Sequence, residues 1–264
     1  MVRWKSIFSL VLALQICGAQ ADNWQEVPAL AQVFKNANIT GTFALYQPSQ
    51  STLRGYNYSR ANTRFVPAST FKILNTLIGL SEGAVATVDE ILPYGGQPQP
   101  LPQWQRDMSL REAITMSNVP IYQELARRIG REKMRKAVSR TDYGNQAIGR
   151  QIDRFWLDGP LKISAIEQSY FLAKLARKTL PFTRDIQQET TNILLVDHGP
   201  GWRLFGKSGW QKSPEASVGW WVGWIEIDRE IYSFALNIDA LELDDAKQRL
   251  PLVKASLRAL GLMK

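Results

Sequence analysis

The sequence predicts a mixed α/β fold in which strands from both ends of the chain build one sheet around a mainly helical insert. Three observations predict it. Residues 39–57 and 202–239 carry the alternating, β-branched and aromatic runs that strands need. From Pro67 to about residue 182, apolar residues recur with a helical period instead. The segment from Asp245 to Leu260 closes the chain as an amphipathic helix, with Gly261 just past its end. At 264 residues the chain is long enough for one or two domains with a full core. The expected partition is a discontinuous α/β domain (22–66 and 190–264) around a helical domain (67–189), with a site at their interface.

The N-terminus reads as a leader. Arg3 and Lys5 form a positive start, Ile7 to Cys17 an apolar stretch too short to span a bilayer, and Ala19-Gln20-Ala21 a small-x-small cleavage signal. Residues 1–21 are therefore expected to be a secretory signal peptide, cut after Ala21. Bulky Ile16 before Cys17 argues against a lipoprotein. No later stretch is long and apolar enough for a membrane helix, so a soluble, exported protein without a membrane anchor is expected. Next, Thr42 to Tyr46 alternates, Pro48-Ser49-Gln50 turns, and Leu53 to Tyr58 returns as a hairpin. Ser109 to Glu112 resembles a capping box opening a helix. Tyr122–Ile129, Glu132–Val138 and Ser164–Leu175 carry helical spacing, and Leu92 to Pro102 is a Pro/Gly-rich loop. Trp202 to Phe205 leads a strand into Gly206-Lys207-Ser208-Gly209-Trp210. Two further strands, Ser217–Ile227 and Ile231–Asp239, join near Asp228-Arg229-Glu230.

Composition excludes several chemistries. The one cysteine, Cys17, falls in the leader, so the mature chain offers no thiol nucleophile, disulfide or Cys metal site. The lone His198, before Gly199-Pro200, is expected in a loop without a catalytic role. It also leaves a Ser-His-Asp triad or a His-rich metal centre little to draw on, and no metal is expected. The net charge of +8 becomes +6 once Arg3 and Lys5 are removed, which fits an evenly charged surface. Arg127, Arg128, Arg131, Lys133, Arg135 and Lys136 fall on exposed helix positions, and together with export they argue against nucleic acid as partner. Trp220, Trp221 and Trp224 alternate with Val218 and Val222 and read as strand packing rather than a stacking platform.

The chemistry concentrates in Ser69-Thr70-Phe71-Lys72. A Ser and a Lys three apart share a helix face, so the amine reaches the hydroxyl and can activate it without histidine. One such tetrad arises about once by chance in a chain of this length. The neighbours Val66, Pro67, Ala68, Phe71, Ile73, Leu74, Leu77 and Ile78 give it meaning, because they bury the lysine. Burial lowers a lysine pKa and favours the neutral amine. A second element, Lys207-Ser208-Gly209, ends a strand; its edge offers backbone N–H groups, its Gly209 admits a ligand close to the backbone, and Lys207 with Ser208 suits an anion. The third, Ser117-Asn118-Val119 before Pro120, lies between helical runs, where a second serine can pass a proton to a leaving nitrogen.

In this order, S-x-x-K, S-x-V and K-S-G resemble the penicillin-recognising serine enzymes. With Tyr143-Gly144-Asn145, Phe155-Trp156-Leu157, Lys207-Ser208-Gly209-Trp210 and Gly219-Trp220-Trp221-Val222-Gly223-Trp224, nearly the whole mature chain resembles a class D, oxacillinase-type serine β-lactamase.

The resemblance implies an antiparallel sheet flanked by helices plus a helical domain. It implies β-lactams as small-molecule substrates, opened by Ser69 through an acyl-enzyme. Lys72 would be carboxylated by CO₂ or bicarbonate to N6-carboxylysine and act as the base, with the Trp156 indole N–H bonded to it and no other cofactor needed. Ser117 would relay a proton to the β-lactam nitrogen. The backbone N–H groups of Ser69 and Trp210 would form the oxyanion hole, and Lys207, Ser208 and Arg249 would meet the substrate carboxylate beside Gly209. Val119 would pack against the modified lysine, while Tyr143-Gly144-Asn145 would be architectural. Ser208 stands where many relatives carry Thr, and the Trp210 side chain is expected to reshape the pocket. A periplasmic enzyme of a Gram-negative bacterium, monomeric or homodimeric, is expected to confer β-lactam resistance. Its substrate range would be set by loops around 90–105 and 211–216. The alternatives are a transpeptidase or carboxypeptidase, or a β-lactam sensor, that is acylated but does not turn over.

Overall fold

The computed structural model describes residues 24–213 and 217–264. The expected leader with Cys17 lies outside them, as do residues 214–216 of the 211–216 loop. The order is β1 (Trp24–Glu26), α1 (Pro28–Ala37), β2 (Gly41–Gln47), β3 (Thr52–Tyr56), α2 (Tyr58–Asn62), a 3₁₀ turn (Ala68–Phe71), α3 (Lys72–Ser81), β4 (Ile91–Leu92), a second 3₁₀ turn (Pro102–Trp104) and β5 (Met108–Ser109). There follow α4 (Leu110–Thr115), α5 (Val119–Ile129), α6 (Arg131–Arg140), α7 (Ala165–Ala176), α8 (Arg184–Asn192), β6 (Leu195–Gly199), β7 (Trp202–Gln211), β8 (Val218–Ile227), β9 (Glu230–Asp239), α9 (Leu243–Lys247) and α10 (Arg249–Ala259).

The main sheet runs β1-β3-β2-β9-β8-β7-β6. Its pairs are antiparallel except β1 with β3. Period-two alternation sends Trp220, Val222 and Trp224 to one core and Trp221 and Ile225 to the other. The first core is closed by α7 and the helical insert, in which α3 is buried from Lys72 to Leu80. The second is closed by Leu30 and Phe34 of α1 and by Leu252, Val253 and Leu257 of α10. The tryptophans are thus core, as their spacing predicts.

Both expected hairpins form. The β8–β9 turn places Asp228 and Arg229 at φ 49° and 73°, the left-handed pair that a two-residue hairpin needs. Ser109 and Ser164 both close capping boxes, with Glu112 and Glu167.

Four expectations are corrected. The sheet begins before residue 39, since β1 and α1 precede it; Pro28 at the helix start and the Leu30/Phe34 spacing were the available signals. Helix continues past residue 182 as α8, which Thr183 caps. The closing helix is two helices parted at Gln248, because Pro251 has no N–H to give the Lys247 carbonyl and its ring crowds it. His198 lies on β6 rather than in a loop, and its side chain is exposed.

Candidate active site

The site grows from the turn that precedes α3. Ala68 takes φ 48°, uncommon for a residue with a side chain, and this aims Ser69 across the first turn at Lys72. Lys72 Nζ lies 2.7 Å from Ser69 Oγ. Several contacts hold the turn. The Trp220 indole N–H on β8 donates to the Val66 carbonyl (2.9 Å), and Thr70 Oγ1 donates to the Pro67 carbonyl (2.8 Å). Gln168 Nε2 on α7 donates to Thr70 Oγ1 (2.8 Å). Gly209 of β7 meets the same turn: a Cβ there would stand 2.9 Å from the Pro67 oxygen and 3.0 Å from Thr70 Cγ2. The glycine therefore admits the protein's own Ser69 turn, a different close approach from the ligand contact its sequence position suggests.

Lys72 is fully buried and makes no ion pair among the described residues. Burial, and secondly the charge of Lys207, hold its pKa well below that of an ordinary lysine. Its amine stands 5.4 Å from the centre of the Tyr122 ring. The Tyr122 hydroxyl lies 2.9 Å from Thr76 Oγ1, and its carbonyl accepts from Asn75 Nδ2 (3.1 Å), which locks α5 to α3. Beside this chamber Trp156 stacks on Phe71, ring centres 5.3 Å apart. Trp156 is wholly buried, and its Nε1–H has no hydrogen-bond partner among the described residues. Such a donor is costly to leave unmade.

Ser117 sits between α4 and α5 at φ 55°, ahead of Asn118, which caps α5 by accepting from the Ile121 N–H. Val119 is the first residue of α5 and half-buried. Lys207 Nζ donates to Ser117 Oγ (2.9 Å) and to the Ser208 carbonyl (2.9 Å). A second serine–lysine pair thereby joins residues ninety positions apart in sequence. Burial, then the Arg249 charge, lowers the Lys207 pKa to about 7. Burial lowers that of Arg249 to about 10, leaving it a cation. Arg249, first residue of α10, donates to the Gly209 and Ala246 carbonyls.

The edge character of β7 holds for half of the strand. β6 covers it only to Phe205, and the last rung is the Gly206 N–H to the Leu194 carbonyl (2.9 Å). Antiparallel alternation then turns the N–H groups of Ser208 and Trp210 to the same outer side. The Trp210 indole packs against the second core and donates to the Ala240 carbonyl (2.9 Å).

Ser69, Lys72, Ser117, Lys207, Ser208, Gly209 and Arg249 are linked through these contacts, and Trp156 lies against Phe71. Tyr143 is buried, Gly144 takes φ 55°, and Asn145 bridges Pro160 and Lys162. The sequence reading missed Thr76, Tyr122 and Gln168, and it took Trp220 for packing alone. Only for Trp220 was there a signal: a buried indole N–H needs an acceptor.

A fold and a serine–lysine centre of this kind define the acyl-transferring penicillin-recognising proteins. The family described as "Penicillin binding protein transpeptidase domain" matches residues 30–258. The chain is 36% identical over 247 residues to β-lactamase OXA-5 of Pseudomonas aeruginosa, covering 92% of this chain and 90% of that one. It is 35% identical over 259 residues to β-lactamase OXA-48 of Klebsiella pneumoniae, covering 97% and 98%. Among solved structures, FUS-1 (OXA-85), a class D β-lactamase from Fusobacterium nucleatum subsp. polymorphum, superposes with a TM-score of 0.88 at 40% identity, covering 91% of this chain and 100% of that one. The chain belongs to the class D β-lactamases and is an enzyme of that class.

Proposed function

We propose that the enzyme hydrolyses penicillin-type β-lactams through an ester on Ser69, with Lys72 in its carboxylated form as the base for both acylation and deacylation. The observation that carries this reading is the dry Lys72 amine 2.7 Å from Ser69 Oγ. Only a neutral amine attacks CO₂, and burial favours that form of Lys72. The unpartnered Trp156 N–H fits a carbamate oxygen. When present, the carbamate supplies an anion able to take a proton, which neither a protonated nor a hydrogen-bonded lysine offers as well.

The chain's own groups do the rest. Ser69 Oγ bonds to the lactam carbonyl carbon, and the N–H groups of Ser69 and Trp210 receive the developing oxyanion. The C–N bond breaks, and Ser117, bonded to Lys207, delivers a proton to the nitrogen. Lys207, Ser208 and Arg249 hold the substrate carboxylate, whose charge relieves the repulsion between the two cations. Val119 limits bulk water at Lys72. Water then cleaves the ester and frees Ser69. Export by the leader to the periplasm of a Gram-negative cell, and β-lactam resistance, belong to the same reading.

Nitrocefin turnover tests it. Activity should fall when bicarbonate is stripped at mildly acidic pH and return when it is restored, and Lys72→Ala should abolish turnover. Indifference to bicarbonate would remove the carbamate. A single burst without turnover would point instead to an acylated sensor or transpeptidase.

A further inference from the structure

We propose that Thr70 is a positioning residue that sets the gap between the Ser69 turn and β7, its methyl spacing the two oxyanion donors and its hydroxyl anchoring the turn to α7. This rests on the function proposed above, in which the N–H groups of Ser69 and Trp210 receive the oxyanion. Thr70 directly follows Ser69 and is buried. Its hydroxyl donates to the Pro67 carbonyl (2.8 Å) and accepts from Gln168 Nε2 of α7 (2.8 Å). The Pro67 carbonyl also accepts the Thr70 N–H (3.2 Å), so this residue closes the turn twice. Its methyl meets β7: Cγ2 stands 3.0 Å from where a Cβ on Gly209 would sit, and the Thr70 nitrogen 3.3 Å from the same point.

Both γ atoms hang on one Cβ, so a single χ1 places them together. The two hydrogen bonds of the hydroxyl fix that angle and hold the methyl against the strand. Gly209 carries no side chain, so the Thr70 methyl is the apolar group that keeps turn and strand apart there. Serine would keep the hydroxyl and open a methyl-sized space facing Gly209, into which the turn can close. Valine would keep the volume and cut the tether, leaving a Gln168 N–H unpaired in the interior. An oxyanion hole works only with both donors about 2.7–3.1 Å from the charge, and a methyl-sized closure is large against that tolerance.

The test reads rate and stability together in this pair of variants. In Thr70→Ser, kcat for nitrocefin should fall about ten-fold with KM within about two-fold, because the oxyanion is held only in the transition state. Its thermal midpoint should drop by about 3 °C or less. In Thr70→Val the order reverses: the midpoint should drop by about 5 °C or more, while kcat well below that midpoint stays within about three-fold. Adding Thr70→Ser to Gly209→Ala should restore about ten-fold of the kcat that Gly209→Ala loses, since the new methyl takes the space the old one held. Should Thr70→Val fail to fold, the other two measurements decide. An unchanged kcat in Thr70→Ser, equal kcat losses in the serine and valine variants, or no recovery in the double variant would each overturn the spacer with the β-lactamase reading intact. A wild type without sustained nitrocefin turnover would overturn both.

Discussion

Lys207 shows how one residue is set between two tasks. It is buried where it holds Ser117, and under the proposed function it must be charged to hold an anion. Burial and then Arg249 lower its pKa to about 7. A lysine is protonated in the unfolded chain up to its ordinary pKa, so from about pH 7 upward the unfolded state binds the extra proton. Folding stability from this group therefore rises as pH climbs above 7, while the positive charge of its amine is lost. Binding of an intact β-lactam to a Ser69→Ala variant should accordingly weaken as pH rises through neutrality. Arg249→Gln removes the repelling cation and should move that midpoint upward, at the cost of weaker binding throughout. A pH-independent Kd would mean that Lys207 does not meet the carboxylate.

At the scale of the element, the site depends on how closely strand and turn approach. β7 and the Ala68–Phe71 turn touch through Gly209, where a methyl would meet the Pro67 carbonyl, backbone that has little room to yield. Gly209→Ala should part the N–H groups of Ser69 and Trp210. Loss of one oxyanion donor costs about 10²–10³ in rate, so kcat/KM should fall by about that factor, with a much smaller drop in thermal midpoint. Retention of full activity would show that the two elements do not jointly form the oxyanion hole. The closing segment gives a second example: Pro251 divides it, and the division starts α10 at Arg249, whose guanidinium reaches the Gly209 carbonyl.

For the molecule as a whole, Ser69, Lys72 and Ser117 of the helical stretch come together with Lys207 and Ser208 of β7, and specific contacts hold the sheet against the Ser69 turn. The Trp220 N–H to the Val66 carbonyl is one of them. Trp220→Phe keeps most of the ring volume and leaves a buried carbonyl unpaired, worth about 1–3 kcal/mol. Denaturant unfolding should register that loss, and kcat should fall as the turn loosens. An unchanged unfolding midpoint would show that this contact adds nothing to the join.

Much of the fold was legible because its signals are local. Strand alternation, helical period, the Ser109 and Ser164 caps and the Ser69–Lys72 spacing are each decided within a turn or two of chain. The apolar neighbours of Lys72 foretold its burial in the same way. What no local pattern encodes is which distant groups meet. Ser117 finds Lys207 and Tyr122 closes over Lys72, because helices and strands pack by their whole faces. By itself the sequence determined the Ser69–Lys72 pair, the burial of its amine and the class of fold. Tertiary structure alone decided the partners, the lowered pKa of Lys207 and the unmatched Trp156 N–H. Those depend on water being excluded by residues far apart in the chain.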